Sequence, residues 1–459
     1  MKVLHYSLGL PPYRTGGLTK YSYDLMGEQV KQGEEVYLLF PGRHNNSKHI
    51  HIKKYKEHKN IKVFELINPL PVPLLNGTKE SKKFMVTASK DIYKKFLKHI
   101  NVEVVHIHTL MGMHMEFLEA CRELNIKTVY STHDYFGLCP KVNFIDLDKN
   151  LCQDRDYKKC TLCNESGFSF NKIKILQSVP YREFKNIGGI DFLKKVTSKI
   201  KKLKKSKANV DCKQSYFKNL NNSFNKKNNS MELLLNYYLQ MFKSIDLFLF
   251  NSSVTESIYK KYLNKEGLVL PITHKHIKDK RIIKDYSKNE LRVTYLGPNK
   301  AYKGFCILVE TMNSLKSKGF ENIKLNLYGD NSLNESNIKG NIKNHGRYKY
   351  SELERIFENT DVLIVPSIWY ETFGFITLEA LSHGVPVILT KKVGSKDLII
   401  TGKEKGFVIE DNSKALEEIL IKIFKDRSLL EKLNKNIVEE EFNYSLKEHA
   451  KKLKKALNY

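Results

Sequence analysis

Short apolar runs alternate with amphipathic segments along the chain, and each pattern indicates a different element. A buried strand shows as an apolar run of about four to eight residues, and a helix as apolar positions three or four residues apart. Strand patterns lie at residues 2–7, 36–40, 104–109 and 127–133, with helix patterns between them, as at 116–124. Because strands that alternate with helices form a parallel sheet covered on both faces, this part of the chain predicts an α/β domain.

A second α/β series begins near Leu291, after a linker at about residues 270–288. Its strand and helix patterns lie at residues 293–297, 306–318, 323–328, 361–367, 375–382 and 385–389. Ser351 and Glu354 have the spacing of a capping box, which predicts that a helix begins there. We therefore expect two Rossmann-like domains with parallel sheets, followed by a C-terminal helix that packs back on the first domain. The expected divisions are residues 1–270, 271–440 and 441–459.

The chain has 459 residues and a formal net charge of +28, and much of this charge lies in one segment. Residues 171–230 interrupt the α/β pattern and hold 16 lysines and arginines against three acidic residues. Within them, residues 193–207 carry eight lysines and no acidic residue, with apolar residues at helical spacing. Such a basic amphipathic helix binds an anionic membrane surface, at about 1 kcal/mol per cation. A solvated insertion rich in lysine and asparagine is the alternative.

The sequence lacks the patterns of a membrane-spanning, an exported or a nucleic-acid-binding protein. No apolar run approaches the roughly 18 residues that a transmembrane helix requires. The N-terminal residues are too few and too polar for the core of a signal peptide. No motif for RNA or DNA binding accompanies the basic segment. We therefore expect a cytoplasmic protein that is at most peripheral on the inner membrane and does not bind nucleic acid.

Candidate phosphate-binding residues follow strands in both domains, where parallel sheets bind their ligands. Gly16 and Gly17 precede a helix pattern, so main-chain N–H groups and the helix dipole favour an anion there; an ordinary turn is the alternative. Lys300 and Lys303 lie on the loop after a strand of the second domain, where they are placed to pair with a diphosphate. Solvated surface lysines are the alternative. Neither loop carries a dinucleotide fingerprint or a P-loop lysine.

Three polar side chains are candidates for contact with a sugar. Glu379 lies about one turn into an otherwise apolar helix pattern, where burying an unpaired carboxylate costs several kcal/mol. A vicinal diol such as that of ribose offers two hydroxyl donors to it. Glu371 precedes the same helix and is expected at the sugar end of that ligand; an exposed glutamate that caps the helix is the alternative. His133 ends a strand, where it is placed to hydrogen-bond a sugar hydroxyl or a developing charge.

Four of the seven cysteines lie within 25 residues, with the spacing C-x12-C-x7-C-x2-C. They are Cys139, Cys152, Cys160 and Cys163. Four thiolates make a closed tetrahedral zinc site of the structural type, and the same ligands also suit an iron–sulfur cluster. Ordinary reduced cysteines in a loop are the alternative.

Five motifs follow one another in order along the chain. They are Pro11-Pro-Tyr-Arg-Thr-Gly-Gly, Val105-His-Ile-His, Thr132-His-Asp-Tyr, Tyr295-Leu-Gly with Lys303-Gly, and Pro366-Ser with Glu371-x7-Glu379. This set resembles the retaining, nucleotide-sugar-dependent glycosyltransferases of family 4, and Glu-x7-Glu is its most specific element. The resemblance covers residues 1–163 and about 230–459. It implies the GT-B architecture, in which two facing Rossmann-like domains enclose the active site in their cleft.

The resemblance also implies a role for each candidate residue. Lys303 would contact the donor diphosphate, with Gly16 and Gly17 against the phosphates from the other domain. Glu379 would bind the ribose, and Glu371 would bind the transferred sugar, with the main chain of Phe373 and Gly374 beside it. His133 would lie beside the anomeric carbon. Members of the family need no metal for catalysis, so no catalytic cofactor is expected. Where the family usually has arginine after the strand-end glycine, this chain has Pro298, and Lys300 is expected to supply the second cation.

The function implied by the resemblance is a metal-independent transfer of a hexosyl group, with retention, from a nucleotide-diphosphate sugar. The implied acceptor is a saccharide or a lipid-linked molecule, in the biosynthesis of a surface polysaccharide such as a capsule, of lipopolysaccharide or of a glycolipid. The cysteine set would then support the acceptor side. Two alternatives remain open: a nucleotide-sugar epimerase or hydrolase of the same fold, and a non-catalytic nucleotide-sugar-binding protein that tolerates loss of Glu371 and His133.

Overall fold

The computed structural model describes residues 1–45, 47, 49–190, 230–330 and 341–457. The candidate site residues all fall inside these ranges, whereas the predicted basic helix at 193–207 lies outside the described residues. Across the described ranges, no helix combines the length and the apolar character needed to span a bilayer.

Eight strands of the described chain form the sheet of the N-terminal domain. They are β1 (Lys2–Tyr6), β2 (Glu35–Pro41), β3 (His51–His58), β4 (Ile61–Ile67), β5 (Val104–Ile107), β6 (Lys127–Ser131), β7 (Leu247–Phe250) and β8 (Gly267–Val269). Their spatial order is β3-β4-β2-β1-β5-β6-β7-β8. Every neighbouring pair is parallel except β3 and β4, which are antiparallel. The sheet is therefore mixed at one edge, which differs from the all-parallel sheet that the pattern predicts.

The helices of this domain pack beside the sheet, and one of them, at residues 157–165, lies in the cysteine-bearing segment. They are α1 (Gly17–Lys31), α2 (Lys90–Ile100), α3 (Met115–Glu123), α4 (Tyr157–Glu165), α5 (Phe170–Leu176), α6 (Val179–Asn186), α7 (Ser230–Lys243) and α8 (Ser253–Tyr262). Side chains cap several of them: Asp156 accepts two main-chain N–H groups at the start of α4, and Ser252 with Thr255 forms a capping box on α8.

The C-terminal domain has a six-stranded sheet in which every neighbouring pair is parallel. Its elements are β9 (Leu291–Leu296), α9 (Phe305–Ser317), β10 (Ile323–Tyr328), β11 (Ile342–Asn344), α10 (Leu353–Glu358), β12 (Val362–Val365), α11 (Phe375–Leu381), β13 (Val387–Thr390), α12 (Asp397–Ile400), β14 (Gly406–Ile409), α13 (Ser413–Lys425) and α14 (Ser428–Glu439). The spatial order is β11-β10-β9-β12-β13-β14.

The predicted capping box at Ser351 and Glu354 is wrong by two residues. The Lys349 main-chain N–H donates to Glu352 Oε2 at 2.7 Å, so a short 3-10 turn (Tyr350–Glu352) forms first. Helix α10 then continues from Leu353. The local spacing therefore predicted the correct helix, but the 3-10 turn before that helix places the cap two residues earlier in the chain.

The last helix, α15 (Leu446–Leu457), packs against α1 of the N-terminal domain. Tyr21 on α1 forms a hydrogen bond of 2.7 Å to His449, and Lys127 Nζ donates to the Leu457 carbonyl at 2.9 Å. One apolar cluster contains residues of α1, the C-terminal domain and α15 together. The two sheets are therefore joined both by the chain that follows β8 and by this returning helix.

Candidate active site

Glu371 and Lys303 form a largely buried ion pair at the carboxyl end of β12. Lys303 Nζ lies 2.8 Å from Glu371 Oε1, and the Ser367 hydroxyl donates to Oε2 at 2.6 Å. Burial raises the pKa of Glu371, but the charge and hydrogen bond of Lys303, together with the bond from Ser367, lower the pKa overall. Glu371 is therefore a carboxylate at neutral pH, with a cation held against it.

Glu379 is buried on α11, and its partners come from both sides of the cleft. His274 Nε2 lies 3.0 Å from Glu379 Oε1, and Lys20 Nζ of α1 lies 3.7 Å from the same oxygen. Burial raises the pKa of Glu379, whereas the hydrogen bond and charge of His274 and the charge of Lys20 lower it, and the net direction is down. The Lys20 ammonium also lies 4.4 Å from the centre of the Tyr350 ring. The two domains thus share one charged cluster.

Two helices begin at glycines beside these carboxylates. Gly16 precedes α1 and Gly374 precedes α11, with φ values of 111° and 100° that favour glycine. Neither helix start carries a side-chain cap. A β-carbon on Gly17 would lie 3.5 Å from the Phe375 ring, and one on Gly374 would lie 3.7 Å from Glu371 Oε1. The uncapped start of α1, a 15-residue helix, therefore faces the Phe375 ring at the start of α11, and its N–H groups favour an anion.

His133 lies at the point where the two domains meet, just after β6. Its main-chain carbonyl accepts a hydrogen bond of 3.2 Å from the Thr372 hydroxyl, which belongs to the residue after Glu371. Both ring nitrogens have protein partners: Nε2 lies 3.1 Å from His108 Nδ1, and Nδ1 lies 3.1 Å from Asn251 Nδ2. Burial lowers the pKa of His133 to about 3, so the ring is neutral at physiological pH. The main chain of His133 thus contacts the loop that carries Glu371, while its neutral imidazole is held by two residues of the N-terminal domain.

A row of buried hydrogen bonds continues from His133 into the N-terminal domain. His108 Nε2 lies 2.9 Å from His5 Nδ1, and His5 Nε2 lies 2.8 Å from Gln29 Oε1. Since Gln29 Oε1 only accepts, neutral rings along the row have one consistent arrangement of protons: each Nε2 donates, and His133 Nδ1 accepts from Asn251. Ligand atoms of His5, His106 and His108 lie within 4.8 Å of one another. The row uses His5 and His108 in hydrogen bonds, so we assign these two to positioning His133 rather than to holding a metal, whereas His106 lies outside the row with its Nε2 2.8 Å from Ser131 Oγ.

Stability should fall when the pH is lowered from 7.5 to 5.5, because buried histidines resist protonation. Burial lowers the pKa of His5, His114 and His449 to about 4 and that of His133 to about 3. Between those values and about 6.5, the unfolded chain binds protons that the native state does not bind. Each histidine therefore removes about 1.4 kcal/mol of stability per pH unit lost in that window. Urea unfolding at both pH values measures the effect.

The exposed His51 on β3 provides a control for this pH dependence. His51→Gln should leave the change in unfolding free energy between pH 7.5 and 5.5 unaltered. An unfolding free energy that stays level over the same interval would contradict the buried, neutral state of the histidines.

Two cavities open close to these residues. The first, of about 370 Å³, lies at the carboxyl ends of β9 and β10 and is lined by residues that include Gly297, Pro298, Arg347 and Tyr348. Ile376, one turn before Glu379, also lines this cavity. The second, of about 270 Å³, lies in the N-terminal domain and is lined by the loop before Gly16 and by α6. Its lining includes Pro12, Tyr13, Phe40, Tyr55 and Arg182.

The structure brings most of the predicted donor-site residues together, and the four cysteines lie apart from them. Glu371, Phe373 and Gly374 share the loop between β12 and α11, and Lys303 contacts Glu371. Lys300, which was expected to supply a second cation, is exposed. The four predicted cysteine ligands line a separate cavity of the N-terminal domain.

Three residues of the site carry no clear signal in the sequence. Lys20 and His274 hold Glu379, and Asn251 holds His133. Lys20 lies one helical turn after Gly17, so its position at the start of α1 could be predicted from the sequence. Its contact with Glu379 could not. His274 lies in the linker, where no periodic pattern indicates which way a side chain points.

Family models match both domains of the chain. The model that matches residues 15–153 is described as Glycosyltransferase Family 4, and the model that matches residues 277–440 as Glycosyl transferases group 1. The chain belongs to the group 1, family 4 glycosyltransferases. The first match includes Gly16 and His133, and the second includes Lys303, Glu371 and Glu379.

Known proteins similar to this family 4 chain resemble it in part of the sequence or in the fold. The capsular polysaccharide biosynthesis glycosyltransferase CapM of Staphylococcus aureus is 30% identical over 152 residues, which are 31% of this chain and 39% of CapM. The matched region thus spans about two-fifths of the length of CapM. The structure of Anabaena Alr3699/HepE in complex with UDP has a TM-score of 0.58 at 12% identity and covers 100% of both chains. The sucrose-phosphate synthase of Thermosynechococcus elongatus has a TM-score of 0.57 at 15% identity over 99% of this chain and 97% of that one.

These structural similarities show that this family 4 chain has the GT-B fold, with two facing parallel-sheet domains. The fold expected from the sequence resemblance is therefore confirmed. The cleft between the domains is the place where Thr372, Glu379 and His133 meet residues of the opposite domain.

Proposed function

We propose that the chain is a retaining glycosyltransferase that moves a sugar from a nucleotide-diphosphate sugar to a saccharide or lipid-linked acceptor. The observation that carries the proposal is that the loop bearing Glu371, paired with Lys303, leads into α11, whose Phe375 ring lies against the uncapped start of α1. When the bond between the sugar and the donor breaks, negative charge develops on the leaving diphosphate. A lysine and a helix N-terminus that are already in place stabilise that charge.

In this proposal the bound donor replaces the ion pair between Lys303 and Glu371 with new contacts to both residues. The diphosphate takes Lys303, and the Glu371 carboxylate is then free to accept hydrogen bonds from hydroxyls of the transferred sugar. Its lowered pKa keeps it charged for this role. The reaction uses the charge of Lys303 and the N–H groups of α1, and no metal step is needed in it.

The rest of the donor lies along α11 in the proposal. Glu379 binds the ribose diol, because its carboxylate is charged and Ile376, one turn before it on α11, lines the 370 Å³ cavity at the ends of β9 and β10. That cavity takes the nucleobase. Anabaena Alr3699/HepE, which shares the fold, binds UDP and UDP-glucose in its crystal structures, and this supports a nucleotide-sugar donor here. His133 lies on the other side of the sugar, and its neutral ring adds no positive charge near the anomeric carbon.

The acceptor binds the N-terminal domain in the proposal. The 270 Å³ cavity offers the aromatic rings of Tyr13, Phe40 and Tyr55 beside the charged Arg182, a combination that suits a saccharide. The similarity to CapM, a glycosyltransferase of capsular polysaccharide biosynthesis, supports a surface polysaccharide as the product, with lipopolysaccharide or a glycolipid as related products. The lysines of residues 193–207 would hold the enzyme at an anionic membrane surface.

A thermal-shift screen against UDP, GDP, ADP and their sugar derivatives tests the donor site. A millimolar ligand of micromolar affinity should stabilise the protein by about 4 kcal/mol, and we expect this with one nucleotide series. The matching nucleoside without phosphates should give a much smaller shift, because it cannot use Lys303 or the start of α1. If no nucleotide diphosphate shifts the melting temperature, the donor site is wrong.

The sugar derivative that gives the largest shift then goes into a transfer assay with and without saccharide acceptors. Transfer that depends on the acceptor, with the anomeric configuration kept, is the expected result. Release of free sugar in place of transfer would favour the hydrolase alternative, and binding without any turnover would favour a non-catalytic protein.

A further inference from the structure

Four cysteines surround a small cavity of the N-terminal domain, beside the cleft. The cavity has a volume of about 30 Å³, and Cys139, Cys152, Cys160 and Cys163 all line it. All four are free thiols. This space is close to that of a single water molecule, so it suits one ion better than a cluster of several iron atoms.

The local chain folds in a way that gathers the four thiols. Ile145 and Leu151 form an antiparallel bridge, and the Cys152 N–H donates to the Phe144 carbonyl at 2.7 Å. This turn brings Cys152 back towards Cys139 across the twelve residues between them. The other two cysteines are three positions apart on α4, which places them on one face of that helix.

Main-chain N–H groups point at two of the sulfur atoms. The N–H groups of residues 141–144 are directed at the Cys139 sulfur. The N–H of Leu147 is directed at the Cys163 sulfur. Donors arranged in this way stabilise a charged sulfur, as they do around thiolates that bind a metal.

One arginine beside the same cavity has polar atoms without a hydrogen-bond partner. Arg155 lines the cavity, and its buried Nε and Nη2 atoms have no hydrogen-bond partner. Its guanidinium is held 4.1 Å from the centre of the Tyr262 ring. Lys141 and Lys159 line the cavity as well, and Lys159 already forms an ion pair of 2.6 Å with Asp146. Four thiolates around a divalent ion carry two negative charges, which Arg155 and Lys141 would balance.

We propose that Cys139, Cys152, Cys160 and Cys163 bind one zinc ion as a tetrathiolate. Each thiol releases a proton as its sulfur binds, so one Zn²⁺ ion replaces four protons and the site gains a net charge of minus two. Among the described residues, the ligand atoms grouped within 4.8 Å are those of three histidines and not of the cysteines. Zinc binding therefore draws the sulfurs inward into the cavity, to about 2.3 Å from the ion.

The zinc site would brace one wall of the cleft. Phe144, whose N–H points at Cys139, stacks on Tyr262 with ring centres 5.9 Å apart and lies 6.5 Å from Tyr370. The Tyr370 hydroxyl also donates to Gln153 Oε1, one residue after Cys152, at 3.5 Å. Since Tyr370 precedes Glu371, the metal-bound loop supports the segment that carries the candidate catalytic carboxylate. This last step rests on the proposed function, whereas zinc binding does not.

Metal analysis of the purified full-length chain tests the site directly. The unaltered protein should hold about one zinc per chain, and the variant Cys160→Ser/Cys163→Ser should lose at least about nine-tenths of it, since two of four ligands are gone. Cys121→Ser is the matched control, because Cys121 is a buried free cysteine outside the loop, and it should keep the full amount. Replacement of zinc by Co²⁺ should give the visible absorption of a tetrahedral cobalt thiolate.

Three results would overturn the proposal. They are protein without bound metal whose four thiols all react with a thiol reagent, iron with the absorption of an iron–sulfur cluster, and zinc that remains in the double variant. Each is measured without a sugar donor, so a failed zinc site and a failed glycosyltransferase assignment can be told apart. A zinc-bound protein that binds no nucleotide would refute only the proposed function.

Discussion

Glu371→Gln is expected to lower kcat by about 100-fold or more, while the Kd of the nucleotide-sugar donor stays the same or falls. The amide keeps the shape of the side chain but removes the charge that receives the sugar hydroxyls, and losses of this size follow removal of one prearranged electrostatic contact. Donor binding is preserved because Lys303, now without its carboxylate partner, pairs with the diphosphate more readily. Initial rates at saturating donor, with the donor Kd from calorimetry, measure both quantities.

Glu410→Gln provides the matched control for this variant. Glu410 also pairs with a lysine, Lys391, but both side chains are more than half exposed. Exposed ion pairs contribute little, so this variant should keep its turnover. A Glu371→Gln enzyme that turns over within about threefold of the unaltered protein would remove Glu371 from the site.

Glu379→Gln should weaken binding of the nucleotide diphosphate by about 10- to 100-fold. A hydrogen bond to a charged group is worth about 1.5–3 kcal/mol, and the neutral amide accepts the ribose hydroxyls less strongly. The change also removes the charge that holds His274 and Lys20 across the cleft. Calorimetric titration of the nucleotide found in the thermal-shift screen gives the change in Kd.

A second glutamate on a helix of the same domain serves as the control for this effect. Glu417 on α13 is mostly buried and forms an ion pair with Lys318, and Glu417→Gln should leave nucleotide affinity unchanged. If Glu379→Gln binds the nucleotide as tightly as the unaltered chain, then Glu379 does not contact the donor, and its cluster serves only to join the two domains.

The elements that depend on local pattern were predictable. The strand at 323–328 is observed with those bounds, and the helix expected at 306–318 is observed as α9 at Phe305–Ser317. Apolar runs and helical spacing depend only on neighbouring residues, so they indicate a strand or a helix without knowledge of tertiary contacts. The placement of Glu379 on an apolar helix is of the same kind, because its buried position follows from the apolar residues beside it.

The antiparallel strand β3 was not predictable from its own residues. Its sequence, His51-Ile-Lys-Lys-Tyr-Lys-Glu-His, is polar on both faces and forms a strand because β4 lies beside it. Charged residues on such an edge strand also discourage pairing with other chains. The strand conformation of β3 is therefore determined by its pairing with β4 and not by its own residues.

By itself, the sequence determined the two α/β series, the order of the motifs and the types of residue at the candidate site. It did so because periodicity, glycine turns and carboxylates on apolar helices are local features. Only the tertiary structure decided which charges are paired. Lys20 with Glu379, Thr372 with His133 and Phe144 with Tyr370 are contacts between distant residues, and they exist because the two domains and the returning helix α15 close around one cleft.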